Sequence, residues 1–355
     1  MRGLRLGDLA IAQFGFFDAD DRLNLLSAKG DPLETIHRAV AWEEFRADIE
    51  RVVLTPDGMK KSKAGRKPID ALVMFRMLVL QTLYNLSDEQ VEYQVRDRLS
   101  FTRFLGLGFE DGIPDGTTLW LFREKLAKAG LVEKLFARFS QHLEAKGFIA
   151  RGGQMVDATI VAVPRQRNTR EENEQVKAGR TPADWEKNPA KNRQKDKDAR
   201  WTKKHGKSYF GYKNHVNADA RHKLIRAYEV SDASVHDRRK LDSLLNKANT
   251  SNDVYADSAY RAVEIEVRLA ARGFNSRIHV RASRNHPLSK AQEAANRAKS
   301  RIRARIEHVF AAQENTPGGR LVRTIGLVRA KAKIGLANFV YNIRRLIILE
   351  RMASA

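Results

Sequence analysis

Three carboxylates lie far apart in the chain, in surroundings that suit metal-dependent phosphate chemistry. Asp157 sits in the apolar run Met155 to Val163, and Asp257 follows Val254-Tyr255-Ala256. Glu307 lies in Arg303-Ala304-Arg305-Ile306-Glu307-His308. The two apolar runs read as buried strands, and the third segment reads as a strongly basic helix. A buried strand seldom carries an unpaired Asp, because desolvating the charge is costly unless a metal or a partner offsets it. Hydrolysis or transfer of a phosphodiester needs an activated oxygen nucleophile, a stabilised leaving oxygen and neutralised charge at phosphorus. Two Mg²⁺ ions held close together can supply all three. Mg²⁺ takes oxygen ligands and keeps waters, so three carboxylates and a substrate phosphate suffice. Asp on neighbouring strands gives short, rigid ligands, and Glu on a helix reaches in from the side. Each residue has a plainer alternative. Either Asp could be a strand-end cap or a salt-bridged acid, and Glu307 could be an i,i+4 surface pair with Arg303.

The composition favours a polyanionic partner. Among 355 residues, Lys plus Arg number 65 and Asp plus Glu 43, a net charge of +22, which points to nucleic acid. Residues 165–208 hold 14 Lys/Arg against 7 Asp/Glu, and residues 281–345 hold 15 against 3. A single charge run can be a solvated face. Two runs flanking the same carboxylates favour a binding surface. Apolar residues make up 42% of the chain, enough for a large core and two or three domains. No run approaches the roughly 20 apolar residues of a spanning helix, and the start lacks a signal-peptide pattern. With no cysteine, thiolate zinc sites, disulfides and Cys nucleophiles are excluded. No Walker A pattern is present, so ATP is not implied.

The elements that must position the carboxylates fall into two halves. Residues 1–30, including Phe14-Gly15-Phe16-Phe17, are weakly patterned and read as an N-terminal arm. Asp31-Pro32 is an N-cap with Pro at the first helical position, opening a helix with Ile36, Val40, Phe45 and Ile49 on one face. After a polar, basic break from Gly58 to Gly65, Lys67-Pro68 opens a helix that is apolar nearly all round through Leu83. Such a helix belongs at the centre of a bundle. Ser87-Asp88-Glu89-Gln90 has the form of a capping box. Phe101 to Leu107 reads as an apolar turn, Pro114 to Thr118 caps a further helix, and Gly130 and Gly147 end the last two. Residues 31–150 therefore form an all-helical domain, whose tight turns permit a helix-turn-helix.

From residue 151 the pattern changes to strands. Met155 to Val163 is ended by Pro164. Residues 165–208 form a basic insertion expected to be partly disordered when free. Its Trp185 and Trp201 could stack on unpaired bases or dock on the core. Tyr209 to Asn217 and Leu224 to Val230 form an antiparallel hairpin, followed by a helix at Asp237 to Leu245 and a strand at Asp253 to Ala256. A helix at Ala262 to Ala271, a strand at Ser276 to Val280 and one long basic helix at Lys290 to Phe310 complete the series. The fold class is α/β, a mixed sheet with helices on its faces. Lys213 and His215 share one side of their strand, which faces DNA or metals, or is simply an exposed sheet face. His236 beside Asp237 reads as an N-cap with a flanking His.

The segments Val156-Asp157-Ala158-Thr159-Ile160, Tyr255-Ala256-Asp257-Ser258-Ala259-Tyr260 and Arg305-Ile306-Glu307-His308-Val309-Phe310 together resemble the DDE transposases of bacterial insertion sequences, in the insertion-sequence families five and four. Phe210 to His215 is similar to that family's second strand, Val235-His236-Asp237 to its link to the second Asp, and residues 67–107 to its N-terminal domain. The resemblance runs over roughly residues 65–350. It implies an RNase H-like catalytic domain at 151–350 behind a helical DNA-binding domain at 31–150. It implies Asp157, Asp257 and Glu307 as catalytic residues and as ligands of two Mg²⁺ ions, with Mn²⁺ as a substitute. Cleavage at transposon ends and strand transfer into target DNA would follow. The implied partners are double-stranded DNA, both terminal inverted repeats and target, and further copies of the chain in a homodimer or higher oligomer. The implied compartment is the bacterial cytoplasm, at the nucleoid, with no membrane partner. Lys213, His215, Arg301, Arg303 and Arg305 are the expected DNA contacts. The family's signature around the Glu is matched at Arg303 and Glu307, whereas Ser300 and Glu314 stand where it has Tyr and Lys. Nearby basic residues such as Arg301, Arg305 and Arg320 could substitute for that Lys. Two other functions would keep this fold: a nuclease without strand transfer, and a non-catalytic DNA-binding protein derived from a transposase.

Overall fold

Side-chain caps at Asp31, Asp70, Ser87 and Asp115 fix where four helices of the first half begin. The computed structural model describes residues 18–54, 68–108, 110–204, 206–282, 286–314 and 322–354. Phe14 to Phe17 and the break from Gly58 to Gly65 lie outside the described residues. Within the expected arm, Asp18–Ala28 forms helix α1. The Asp31 carboxylate accepts from Leu33 N at 2.9 Å and starts α2 (Pro32–Ala39). The single helix expected to run on to Ile49 is instead broken. Val40 is extended, residues Trp42–Phe45 make a 3₁₀ turn, and α3 follows at Arg46–Val53. The break lets Trp42 turn inward, with its Nε1 donating to His37 O at 3.1 Å, while Ile36, Val40, Phe45 and Ile49 all stay buried.

The expected central helix is α4 (Ala71–Tyr84), capped by Asp70 and buried from Ala71 to Leu83 except at Arg76. Arg76 reaches out to the carbonyls of Phe104 and Leu105 at 3.3 and 2.9 Å. These carbonyls end α6 (Leu99–Leu105), a helix where the sequence suggested only a turn. A cation on the last carbonyls is a favourable helix end. The Ser87/Gln90 capping box starts α5 (Asp88–Asp97), and Asp115 caps α7 (Gly116–Lys128). Helix α8 (Leu131–Ala145) follows Gly130.

The sheet contains β1 (Gln154–Ala162), β2 (Arg200–Lys204), β3 (Lys207–Asp219), β4 (Ile225–Asp232), β5 (Asp253–Tyr255) and β6 (Asn275–Ser276). β3 pairs antiparallel with β1, β2 and β4, whereas β5 runs parallel to both β1 and β6. The order β4-β3-β1-β5-β6, with three antiparallel strands and then two parallel ones, is that of the expected RNase H-like fold. β6 is shorter than Ser276 to Val280. Beyond Ser276 the chain bends toward α14 (Lys290–Arg303), where Asn296 binds both backbone groups of Val280 and Lys299 binds Ile278 O. Between β5 and β6, α13 (Val263–Ala271) covers the sheet, and α12 (Leu241–Leu244) follows β4.

The insertion is folded. It carries α9 (Arg170–Lys177), α10 (Ala183–Glu186) and α11 (Pro189–Arg193) before β2. Trp185 is fully buried and donates to Glu172 at 2.7 Å. Asp196 accepts from the backbone of Ala199 and from the Tyr212 hydroxyl. A buried Trp and a buried Asp–Tyr bond give this polar stretch the small core that its composition hides.

The long helix expected at Lys290 to Phe310 is also interrupted. After α14 comes a 3₁₀ turn at Ala304–Ile306, and α15 (Glu307–Glu314) begins at Glu307 itself. The last helix, α16 (Leu327–Ser354), joins both halves of the molecule. Its Phe339 packs on Phe45, Phe75 and Phe139 with ring centroids 5.7, 5.5 and 4.9 Å apart. Asn338 forms a reciprocal amide pair with Asn214 of β3, and Asn342 binds both backbone groups of Ile225 in β4. A Cβ at Gly335 would collide with the Tyr228 hydroxyl and Val132, so glycine allows the helix to lie this close. The helical half and the sheet consequently share one apolar core.

Candidate catalytic site

Two parallel strands bring the aspartates side by side. The β1–β5 pairing ends at Met155 and Tyr255, and Asp157 and Asp257 each lie two residues beyond that last pair. They thus occupy equivalent positions where the strands part. The Asp257 carboxylate caps the 3₁₀ turn Ser258–Tyr260, accepting from Ala259 N at 2.8 Å. Asp157 Oδ1 accepts from Ala158 N at 2.8 Å. Glu307 is the first residue of α15, with a side chain 61% exposed. One turn earlier, Arg303 holds Asp157 Oδ2 at 3.0 Å and Glu307 Oε1 at 3.4 Å. The break before Glu307 therefore sits beside an arginine that spans the first and third carboxylates.

Charge at this place is undercompensated. Burial pushes the Asp157 carboxyl up to about 6. The negative charges of Asp257 and Glu307 add to this, while the Ala158 amide and Arg303 oppose it. The Tyr260 hydroxyl is buried without a hydrogen-bond partner, and its pKa is raised well above the ordinary value by burial and by Asp157, Asp237 and Asp257. His279 is held below its ordinary value by burial, Arg303 and Lys299, against Asp257, and its Nε2 lies 3.2 Å from Ser300 Oγ. Ser300 is the residue standing where the family signature has Tyr. Sequence reasoning singled out neither Tyr260 nor His279 as a site residue. Tyr260 was in view within the Asp257 segment, whereas nothing local marks His279.

Among the described residues, no three His, Asp or Glu side chains converge closely enough to ligate one ion. The Arg303 guanidinium stands between two of the candidates instead. The donor set still fits a hard divalent cation. Its atoms are carboxylate oxygens, and Asp157 is desolvated and repelled by its neighbours, a state that a cation relieves.

The other expected contacts are spread more widely. Val216 pairs with Asp157 across β1 and β3, so Lys213 and His215 point to the opposite face of the sheet. There Lys213 Nζ bonds Asp237 Oδ1 and Val235 O, both at 2.8 Å. His215 is fully buried, 2.8 Å from Ser231 Oγ, and burial holds it below its ordinary pKa. Neither presents a free charge to solvent. His236 caps the turn at Asp237, accepting from Arg238 N. Arg301 and Arg305 are exposed, and Arg305 also donates to Ala220 O at 3.0 Å. Arg320 lies outside the described residues. Trp201 is 41% exposed, packs at a tilt on Phe210 with ring centroids 5.2 Å apart and lies under Arg165. No described helix is long and apolar enough to cross a membrane.

Comparison with known proteins bears on the same segments. A family profile described as a transposase DDE domain matches residues 150–343, more than half of the chain. A second, described as a transposase domain (DUF772), matches residues 20–125. Among solved structures, the chain is similar to the piggyBac transposase in a synaptic complex with hairpin DNA. The identity is 10%, the match covers 87% of this chain and 72% of that one, and the TM-score is 0.39.

Proposed function

The chain belongs to the DDE-domain transposases, and we propose that Asp157, Asp257 and Glu307 carry its chemistry on DNA. It is a DNA transposase, an enzyme of a class that depends on divalent metal. The observation supporting this assignment of residues is the matched placement of Asp157 and Asp257 beyond the last β1–β5 pair, with Arg303 linking Asp157 to Glu307.

Asp157 and Asp257 would hold Mg²⁺, or Mn²⁺ in its place, and Glu307 would complete a second position. Bound there, the ions supply activation of the attacking oxygen and stabilisation of the leaving one. Asp257 is oriented by the Ala259 amide and Asp157 by the Ala158 amide, so both present their second oxygen in fixed directions. Arg303, which bridges Asp157 and Glu307, would yield that bridge to a bound cation and turn its guanidinium to the reacting phosphate. The Tyr260 hydroxyl, buried without a partner near Asp157 and Asp257, would keep its proton there. Water attacks the phosphodiester at the element's end and leaves a 3′-OH. That hydroxyl then attacks a target phosphodiester in line, one P–O bond forming as another breaks. The helical half recognises the terminal inverted repeats. Arg301 and Arg305, exposed beside the site, contact the backbone. Joining two ends calls for a homodimer or a larger assembly on DNA.

The test incubates purified protein with Mg²⁺, labelled DNA bearing the element's end and a target plasmid, comparing wild type with Asp257→Asn. The expected result is joining by the wild type, while the variant binds the end and neither cuts nor joins. Cutting without joining would mean a nuclease. Binding without cutting by both proteins would mean a non-catalytic DNA-binding protein.

A further inference from the structure

A cavity of about 320 Å³ lies between α7, the segment at 322–326 and α16, away from the carboxylates. α7 contributes Trp120, Arg123 and Glu124, the segment contributes Arg323 and Thr324, and α16 contributes Arg329 and Lys333. Two of the four cations are already neutralised. Arg329 grips both oxygens of Glu124 at 2.7 and 2.8 Å, and Arg123 grips both oxygens of Asp88 at 2.6 and 2.9 Å. Arg323 and Lys333 have no hydrogen-bond or ion-pair partner among the described residues. The Thr324 hydroxyl is buried and equally without a partner. Two cations and one hydroxyl therefore reach a single cavity whose carboxylate is fully engaged by Arg329. Lys333 is half-buried, and burial and Arg123 lower its pKa while the Asp88 carboxylate opposes them, so the ammonium is held there at a net cost. Buried donors are satisfied almost without exception, and an anion would satisfy the Thr324 hydroxyl together with the exposed Arg323 and the half-buried Lys333 beside it.

We propose that this cavity is a second phosphodiester site, which takes a backbone phosphate of the DNA strand that the carboxylates process. The inference rests on the function proposed above. Phosphate offers several acceptor oxygens around one centre, which suits a guanidinium, an ammonium and a hydroxyl arriving from two elements. The volume exceeds that of a few waters and leaves room for the adjoining sugar. Trp120, 43% exposed at the cavity, gives an apolar wall for it. The placement also fits a continuous strand. Val322 N bonds Ala162 O at the end of β1, roughly 16 Å along the strand from Asp157 at the usual rise. That span is on the order of five nucleotides of duplex. The 322–326 segment is anchored at its other end by Leu327 N on Asp198 of the insertion, at 2.8 Å. The cavity is thus held by the helical half, the sheet and the insertion together.

The test uses the full chain and Arg323→Gln and Lys333→Gln variants, neither of which removes a native hydrogen bond or ion pair. Binding to a labelled duplex carrying the element's end is followed by anisotropy over a series of KCl concentrations. Each variant should bind more weakly, and the slope of log K against log salt should shrink by about one for each phosphate that the protein no longer neutralises. Unfolding midpoints at or above the wild type's show that the variants fold. Wild-type affinity and slope in both folded variants would overturn the proposal. So would inorganic phosphate raising the midpoint of the wild type alone while DNA binding is unchanged, because the site would then take free phosphate. Mg²⁺-dependent cutting by the wild type is measured alongside. Cutting with unchanged slopes refutes this inference only, whereas absence of cutting and joining refutes the function it rests on.

Discussion

The carboxylates around Asp157 and the cations around Lys333 are opposite solutions in charge to the same problem of burial. At the first, Arg303 bridges Asp157 and Glu307, and Asp257 adds a third negative charge beside them. At the second, Arg323 and Lys333 are left over after Glu124 and Asp88 have been taken by Arg329 and Arg123. Each cluster keeps an internal counter-ion that is too small for its charge. Each is therefore less stable alone than with a ligand of opposite sign. A hydrophobic replacement would often be more stable than such a buried charge. The first cluster calls for a metal and the second for a phosphate, and a DNA strand with its bound cations meets both demands together.

The apolar core gives the reference against which both clusters are read, and its truncation has the largest expected effect. Phe339→Ala removes the ring that joins Phe45, Phe75 and Phe139. The loss should be about 3–5 kcal/mol, as for other buried Phe truncations. No titrating group takes part, so the loss should be the same at pH 5 and pH 8, and with or without Mg²⁺. Denaturant unfolding at both pH values checks this. A loss that changes with pH would mean that α16 transmits the charge of one cluster, and the comparison would fail.

The second prediction concerns Asp157. Its carboxyl moves from 3.8 to about 6 on folding. Between those values the native state binds more protons than the unfolded chain, so stability falls as pH rises through the window and stays lower above it. The difference corresponds to a cost on the order of 3 kcal/mol. Metal-free Asp157→Asn should therefore unfold at a higher temperature than wild type at pH 8, with the gap closing below pH 4. Mg²⁺ should raise the wild-type midpoint at pH 8 and leave the variant nearly unmoved. Equal midpoints for the two metal-free proteins at pH 8 would show that Arg303 already neutralises the cluster.

Much of this arrangement was legible in the sequence, and the parts that were not share a cause. Asp157 and Asp257 announced themselves because short apolar runs around an acid are locally unusual. Caps at Asp31, Ser87 and Asp115 are likewise local, and the structure has them. The break before Glu307 is not local. Lys290 to Phe310 contains neither Gly nor Pro, and the turn puts Ile306 in the core while Arg303 reaches Asp157. α16 was masked by its own charge. Its Arg and Lys residues point to DNA by charge, although Ile334, Phe339, Val340, Ile343 and Leu346 carry a helical period that marks a buried face. Lys213 and His215 show the limit of strand parity. It placed them on one side together, but which side held Asp157 depended on the β1–β3 register.

The smallest effect belongs to Lys333, and its sign is the sharpest test of the contrast. Burial and Arg123 outweigh Asp88 and lower its pKa from 10.5, so just below that value the unfolded chain binds more protons than the native state. Stability from this group therefore rises with pH through the window, whereas that from Asp157 falls through its own. At neutral pH the native ammonium carries a cost, and Lys333→Met should remove it. The gain is about 1 kcal/mol, at the low end for replacing a buried charge by an apolar residue, because the half-buried ammonium keeps access to cavity water. Thermal unfolding of Lys333→Met in phosphate-free buffer at pH 7 should show a higher midpoint than wild type. The advantage should shrink toward pH 10 as the wild-type amine loses its proton. A lower midpoint at pH 7 would mean that Lys333 is satisfied within the fold. The two clusters would then not be counterparts, and only the carboxylates would be waiting for a ligand.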